Sequence, residues 1–347
     1  MKKKLTIKEI AQRANVSVST VSRVINNSGY VGKKARKSVE SAIADLEYKP
    51  DSRARGLRGI SPRIVALVIP DILNVYYTTL SEEIEKNLRQ KGYTMMLGVT
   101  NDDSDLFLEY LNKFWDIQVD GLIYVPPPEE DSSPFVRGLI SSGFPMVELN
   151  RRREVDLLDG VEADNFGAVC QAIEHLISLN HKKIAFIVGS QKTTTGKGRL
   201  EGYRCSLNKV GLEVHPELIK IGTFSRAYGE KATRELLEIE GSLKPTAIFS
   251  TSNRLLMGTM TVLGERGIRV PEDLSVIAFD DTEWLEFWSP AITTVDIAID
   301  KMAELTVDLL RNRIENEDSS ENPRTYTLST VLKNRNSCKT IEKVQLL

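Results

Sequence analysis

Five residues in an early stretch carry donor, acceptor and methyl chemistry at helical spacing. At about 100° per residue, Val18, Ser19, Ser22, Arg23 and Asn26 fall on one side of a helix opening after Ser17, while Val21, Val24 and Ile25 fall on the other. Arg forks onto guanine, Ser and Asn bond base edges or phosphate, and Val meets a thymine methyl. Most amphipathic helices also have a polar outer face, so the surrounding elements must decide. Other constellations fail on spacing. Gly196-Lys-Gly-Arg-Leu-Glu-Gly202 follows an apolar run, but a Walker A loop needs Gly at 191 and Ser/Thr at 198, where Gln191 and Gly198 stand. The same run misses G-x-G-x-x-G by one residue. His175 and His181 are six apart and do not share a helical face as metal ligands do. No nucleophile, base and orienter can be read together, so no enzyme, cofactor or metal is expected.

The elements that must position the first set read clearly. Thr6-Ile7-Lys8-Glu9 has the form of a capping box, which starts a helix at about Ile7. Ile7, Ile10, Ala11 and Ala14 then recur at helical spacing. Asn15-Val16 breaks the run and Ser17 caps a second helix through about Ile25. Ala35, Val39, Ala42, Ile43 and Leu46 mark a third. Three short helices with a very tight first turn predict a small all-α helix-turn-helix domain. Charge agrees. Residues 1–60 hold 14 Lys/Arg against 5 Asp/Glu, and the rest holds 32 against 43. A basic head on an acidic body points to a polyanionic partner for the head alone.

Beyond residue 63, apolar runs alternate with amphipathic stretches. The expected strands are 64–69, 93–99, 121–125, 145–149, 183–188, 218–224, 246–250 and 274–279, and helices such as 79–90, 167–179 and 255–266 lie between them. Buried strands alternating with helices imply parallel sheets covered on both faces. The pattern restarts near Lys183, so two α/β subdomains facing a cleft are expected, with a ligand at the carboxyl ends of the strands. At 347 residues and 41% apolar, the chain is ordinary globular material of more than one domain. No apolar run approaches ~18 residues. Met1-Lys2-Lys3-Lys4 leads into a charged, amphipathic segment and not into a signal-peptide core, and three scattered cysteines make no disulfide framework. A cytoplasmic protein is expected.

Leu5-Thr-Ile-Lys-Glu-Ile-Ala followed by Val16-Ser-Val-Ser-Thr-Val-Ser-Arg-Val-Ile-Asn26 resembles the DNA-binding head of the LacI/GalR family of bacterial transcription regulators. The resemblance implies that Val18, Ser19 and Arg23 discriminate operator bases. Ser17, Thr20, Ser22, Asn26 and Tyr30 would mostly hold the DNA backbone, with Thr6 a further DNA contact. Gly32 and Ala35 stand where Ser and Thr are usual, which weakens the third helix's cap. Pro50-Asp-Ser-Arg-Ala-Arg-Gly-Leu57 is similar to the family's hinge, implying that Ala54, Arg55 and Leu57 enter the minor groove, Leu57 as a wedge. Asp51 replaces the usual Asn.

The body resembles the family's effector domain, similar to type I periplasmic binding proteins, through Val119-Asp-Gly-Leu-Ile, Asp164-Asn-Phe-Gly-Ala, Arg199-Leu-Glu-Gly-Tyr-Arg and Val270-Pro-Glu-Asp-Leu-Ser-Val-Ile-Ala-Phe-Asp-Asp281. It implies effector contacts from Asp71, Asn74, Tyr76, Tyr77, Asn150, Arg151, Arg199, Phe224, Ser252, Asn253 and Asp280, with Ser252-Asn253 in place of the usual Asn-Asp. Such a set suits a polyhydroxylated ligand: carboxylate and amide share hydroxyl hydrogens, Arg donates in a fork, and rings cover C–H faces. The expected organisation is a head (1–49), a hinge (50–62), a dimerising effector domain (63–337) and a C-terminal tail (338–347). The expected function is sequence-specific regulation, most simply repression. A homodimer, or a dimer of dimers, would bind a pseudo-palindromic operator at the nucleoid under control of a sugar or sugar acid.

Overall fold

The computed structural model describes residues 7–25, 29–46, 62–128, 133–153, 157–316 and 322–342. The chain divides into two compact units, Met1–Pro62 and Arg63–Leu347.

The first unit holds α1 (Ile7–Ala14), α2 (Val18–Ile25) and α3 (Lys33–Asp45). Ile10, Ala11, Ala14, Val21, Val24, Val39 and Ala42 form its core, and Ile25 is only half-buried beside it. The turn between α1 and α2 is tight because Asn15 adopts φ +50°, a conformation Asn tolerates better than most side chains. The Val16 amide meanwhile returns to the Ala11 carbonyl at 3.0 Å. Ser17 Oγ accepts the Thr20 amide at 3.1 Å, which is the cap the sequence predicts. Ser38 Oγ donates to the Ala14 carbonyl at 2.9 Å, tying α3 to the end of α1. Gly32 caps α3 with its backbone only.

The second unit contains two six-stranded sheets. β1 (Ile64–Ile69), β2 (Thr94–Val99), β3 (Gly121–Tyr124), β4 (Met146–Leu149) and β5 (Asp159–Ala163) join a late strand, β11 (Thr325–Leu328), in the order β11-β5-β4-β3-β1-β2, all parallel. Helices α4 (Val75–Gln90), α5 (Ser104–Asp116) and α6 (Pro134–Ser141) connect them. β6 (Ile184–Val188), β7 (Ile219–Ile221), β8 (Ala247–Ser250), β9 (Ser275–Phe279), β10 (Thr293–Ile297) and β12 (Thr330–Lys333) make the other sheet, in the order β12-β10-β9-β8-β6-β7. Its edge strand β12 runs antiparallel to β10. Helices α7 (Asn165–Ser178), α8 (Thr194–Lys209), α9 (Arg226–Leu237), α10 (Asn253–Glu265) and α11 (Glu283–Phe287) accompany it, while α12 (Ile299–Glu315) returns to pack on the first sheet. The central strands are buried on both faces, as covered parallel sheets require.

The subdomains are not successive segments. The chain passes between sheets at Asp164, Ala298 and Ser329, one residue between the flanking elements each time. The expected strand 218–224 shortens to Ile219–Ile221. Beyond it the Tyr228 ring lies over Gly222, where a Cβ would come within 2.3 Å, and Ser225 caps α9. Phe224 is thereby released from the sheet. Residues 338–342, read from the sequence as the start of a tail, are bonded into the body. The Lys339 amide donates to Ser275 Oγ at 3.1 Å, and the Ile341 amide to the Leu179 carbonyl at 2.8 Å. Buried His181 adds Nε2 to the Lys339 carbonyl at 3.0 Å. No helix among the described residues is long and apolar enough to cross a membrane.

Candidate functional site

Two surfaces gather the residues singled out above. On α2, Val21 and Val24 turn inward, which leaves Val18, Ser19 and Arg23 exposed. Val18 is 40% exposed, which no packing need explains. Ser17 Oγ lies 2.7 Å from Ser19 Oγ and 2.8 Å from Thr20 Oγ1, so the hydroxyls at the start of α2 form one cluster of donors. The Arg23 side chain passes over Gly29, which adopts φ +69° and leaves room for it. Tyr30 is 92% exposed. This face offers a forked cation, hydroxyls, a methyl and a phenol. Thr6, Asn26, Ala54, Arg55 and Leu57 lie outside the described residues.

The second surface is a cleft of about 330 Å³, partly open to solvent. Strand ends build it. Asn74, beyond β1, caps α4 by accepting the Tyr76 amide at 3.1 Å, which presents Tyr76 and Tyr77 from the first turn. Asn150 follows β4 and Asp280 follows β9, the third strand of each sheet, and both adopt left-handed backbone (φ +63° and +71°). That turn swings each side chain off its strand end. Tyr77 Oη accepts from Asn150 Nδ2 at 2.9 Å, and Tyr76 Oη donates to Asn150 Oδ1 at 3.2 Å. Phe224 rests on Gly189, where a Cβ would come within 2.1 Å of the ring.

Charge in the cleft is buried and arranged. Arg151 forks onto Asp102, Nη1 to Oδ1 at 2.5 Å and Nη2 to Oδ2 at 3.2 Å. Burial works against its charge, but Tyr77 and Asp102 outweigh burial and hold its pKa above the ordinary value. Arg199 donates Nε to Asn165 Oδ1 at 2.8 Å and Nη1 to the Thr251 carbonyl, with its guanidinium 3.6 Å above the Phe279 ring. Both guanidiniums also flank Phe224, each 5.8 Å from its centre. Burial pushes the Asp280 carboxyl up to about 6, against the pull of Arg199 and of the Asn253 backbone N–H.

Of the residues expected at an effector, Asn74, Tyr76, Tyr77, Asn150, Arg151, Arg199, Phe224, Ser252 and Asp280 line this cleft. Asp71 and Asn253 do not. Asp71 pairs with Arg254, and the buried side-chain amide of Asn253 has no hydrogen-bond partner. Sequence reasoning missed Thr195, which joins the lining from the first turn of α8, and Asp102, which holds Arg151. Both follow strands at their carboxyl ends (β6 and β2), a signal that was available. No group of metal-ligating side chains occurs among the described residues.

Comparison with known proteins decides the family. The family model "Bacterial regulatory proteins, lacI family" matches residues 6–51, and "Periplasmic binding protein-like domain" matches residues 173–338. The HTH-type transcriptional regulator DegA of Bacillus subtilis (strain 168) is 34% identical over 86% of this chain and 88% of its own length. The chain belongs to the lacI family. The HTH-type transcriptional repressor PurR of Klebsiella pneumoniae (strain 342) is 32% identical over 90% of this chain and 91% of its own. Among solved structures, the transcriptional regulator CelR in complex with cellobiose superposes with a TM-score of 0.71, at 29% identity, over 96% of this chain and 99% of that one. As a lacI-family protein, the chain is a DNA-binding transcription regulator and not an enzyme.

Proposed function

We propose that this lacI-family regulator is a repressor that binds a pseudo-palindromic operator as a dimer and answers to a sugar or sugar acid held in the cleft. The observation that carries the reading is the cleft itself, where buried Arg199 and Asp280 offer a forked donor and a carboxylate beside the Phe224 ring. A polyhydroxylated molecule uses all three: hydroxyl oxygens accept from the guanidinium, hydroxyl hydrogens reach the carboxylate, and the C–H face lies on the ring. The cellobiose complex of CelR adds to the carbohydrate reading. Asn74, Tyr76, Tyr77, Asn150, Arg151, Thr195 and Ser252 complete the contacts.

At the DNA, Val18, Ser19 and Arg23 read bases from the major groove. Thr6, Ser17, Thr20, Ser22, Asn26 and Tyr30 hold phosphates, and the hinge residues Ala54, Arg55 and Leu57 take the minor groove. Such a protein acts in the cytoplasm, where its operator lies. The dimer is supported by Met96 and Leu97, exposed apolar side chains on β2, an edge strand with no neighbour beyond it in its sheet. Ligand binding would alter how the subdomains close and so the spacing of the two hinges.

The test is a thermal-shift screen of sugars, sugar acids and purines, run with and without operator DNA selected from a random pool. A shift with a sugar or sugar acid that also changes operator affinity is the expected result. A shift confined to the purines, with none from any sugar or sugar acid, would overturn the reading.

A further inference from the structure

Beyond its lining residues, the cleft carries an ion pair that joins the two subdomains at its mouth. Asp71 follows β1 in the first sheet, and Arg254 lies in the first turn of α10 after β8 of the second. Arg254 Nε stands 3.2 Å from Asp71 Oδ2, with the two side chains 18% and 28% exposed. Nε is not aligned for a hydrogen bond, so the contact is Coulombic. Both partners are tied to the cleft by short segments. Asp71 Oδ1 accepts the Leu73 amide at 2.8 Å, which fixes the loop ending at Asn74, a lining residue and the cap of α4. Arg254 lies two residues beyond Ser252, which lines the cleft and caps α10 by accepting the Leu255 amide at 3.2 Å.

Its place in the fold gives the pair leverage. The chain crosses between subdomains beside β5 and β11 in one sheet and beside β10 and β12 in the other. β1 is the third strand along from β5, about 14 Å away at ordinary strand spacing. A hinge at one edge and an attraction well to the side of it make a small force effective over the opening motion.

We propose that Asp71 and Arg254 form a latch that holds the cleft closed and sets how readily a small molecule enters or leaves. The pair joins the two subdomains, and neither partner is among the cleft's lining residues. Its strength is that of a partly solvated ion pair, enough to bias an equilibrium by a few-fold without locking it. The regulatory consequence rests on the reading of the cleft as the effector site. The latch itself is a property of the ligand-free chain.

The experiment is hydrogen exchange on the full-length protein with no small molecule added. It follows the amides of residues 72–77 and 253–256 in wild type, Asp71→Asn, Arg254→Gln and the doubly neutral Asp71→Asn/Arg254→Gln. Asp71→Asn keeps an oxygen for the Leu73 amide, and both substitutions keep near-native shape at partly exposed positions. Each single change is expected to speed exchange in both segments by about two- to five-fold, with the doubly neutral protein no faster than the single variants because one attraction is lost only once. Acceleration confined to the substituted segment, unchanged exchange, or a doubly neutral protein in which the two accelerations multiply would each overturn the latch. None of these outcomes depends on which molecule the cleft binds, so failure of the latch is separable from failure of the effector reading.

Discussion

Asp280 holds a carboxylate where burial opposes its charge, and that conflict gives a pH prediction. Its pKa rises from 3.8 to about 6 on folding. Between those values the folded state binds more protons than the unfolded one, so stability falls as pH rises from about 4 to 6. Asp280→Asn removes the cost. The variant is expected to be more stable than wild type by roughly 1–3 kcal/mol at pH 7, with the gap closing below about pH 4. Urea melts at pH 3.5 and pH 7 measure it, and an equal gap at both would show that ionisation is not the cause. In the head, Arg23 is exposed on the face of α2 with no buried role to lose. Arg23→Ala should cost about 1–3 kcal/mol of discrimination between operator and scrambled DNA if the guanidinium forks onto a base. A uniform loss of affinity with the specificity ratio intact would make it a phosphate contact. Nine of the eleven residues that the resemblance implied at an effector do line one cleft, because motif position and strand ends are written locally in the sequence. Asp71, expected at the effector, stands in an ion pair beside the cleft lining. Its partner Arg254 lies 183 positions away, and no local pattern reports that distance.

Elements show where a single glycine governs the packing of a whole helix. Gly202 on α8 lets the helix approach α7 so closely that a Cβ would stand 2.6 Å from the Phe166 carbonyl oxygen and 3.1 Å from Val169 Cβ. The obstacle is backbone and cannot rotate away. Gly202→Ala is expected to destabilise the body by about 1–3 kcal/mol, read as a lower denaturation midpoint. Gly32 is the opposite case. It caps α3 with extended backbone (φ −60°, ψ 141°), no side-chain bond and open space around it. Gly32→Ser should therefore add a few tenths of a kcal/mol to the head, because a hydroxyl can accept an amide of the first turn that no side chain caps. A lower melting temperature for the serine variant would show that the position has another role. The sequence departure at Gly32 predicted this weak cap. The expected strand 218–224, by contrast, ran too long. The apolar run ends in Phe224, but that ring lies in the cleft and not in the sheet.

At the scale of the molecule, regulation requires the cleft and the DNA-reading face to share one equilibrium. Asp280→Ala should leave ligand-free operator affinity near wild type while abolishing the response to effector, since Asp280 belongs to the cleft and not to the head. Linkage adds a quantitative demand. Whatever factor the effector applies to operator affinity, operator must apply to effector affinity. Titrating effector into free and operator-bound protein checks this, and unequal factors would mean that the ligand acts elsewhere. The three crossings at Asp164, Ala298 and Ser329 make a rigid-body response of the two sheets mechanically simple.

The sequence alone determined the trihelical head, the face of α2 that looks outward, the alternation of strand and helix in the body, and most cleft residues. The head and the alternation rest on local periodicity and capping, and the cleft residues on motifs that resemble the lacI family, all written within a few residues. Tertiary structure decided the rest. It gave β11 and α12 to the first subdomain and β12 to the second, bonded residues 338–342 into the body, moved Phe224 into the cleft, and set Asp102 on Arg151 and Arg254 on Asp71. The physical reason is common to all of them. Sheet order and cross-cleft pairing are contacts between segments far apart in the chain, and the free energy that selects them is the burial and charge pairing of the assembled whole.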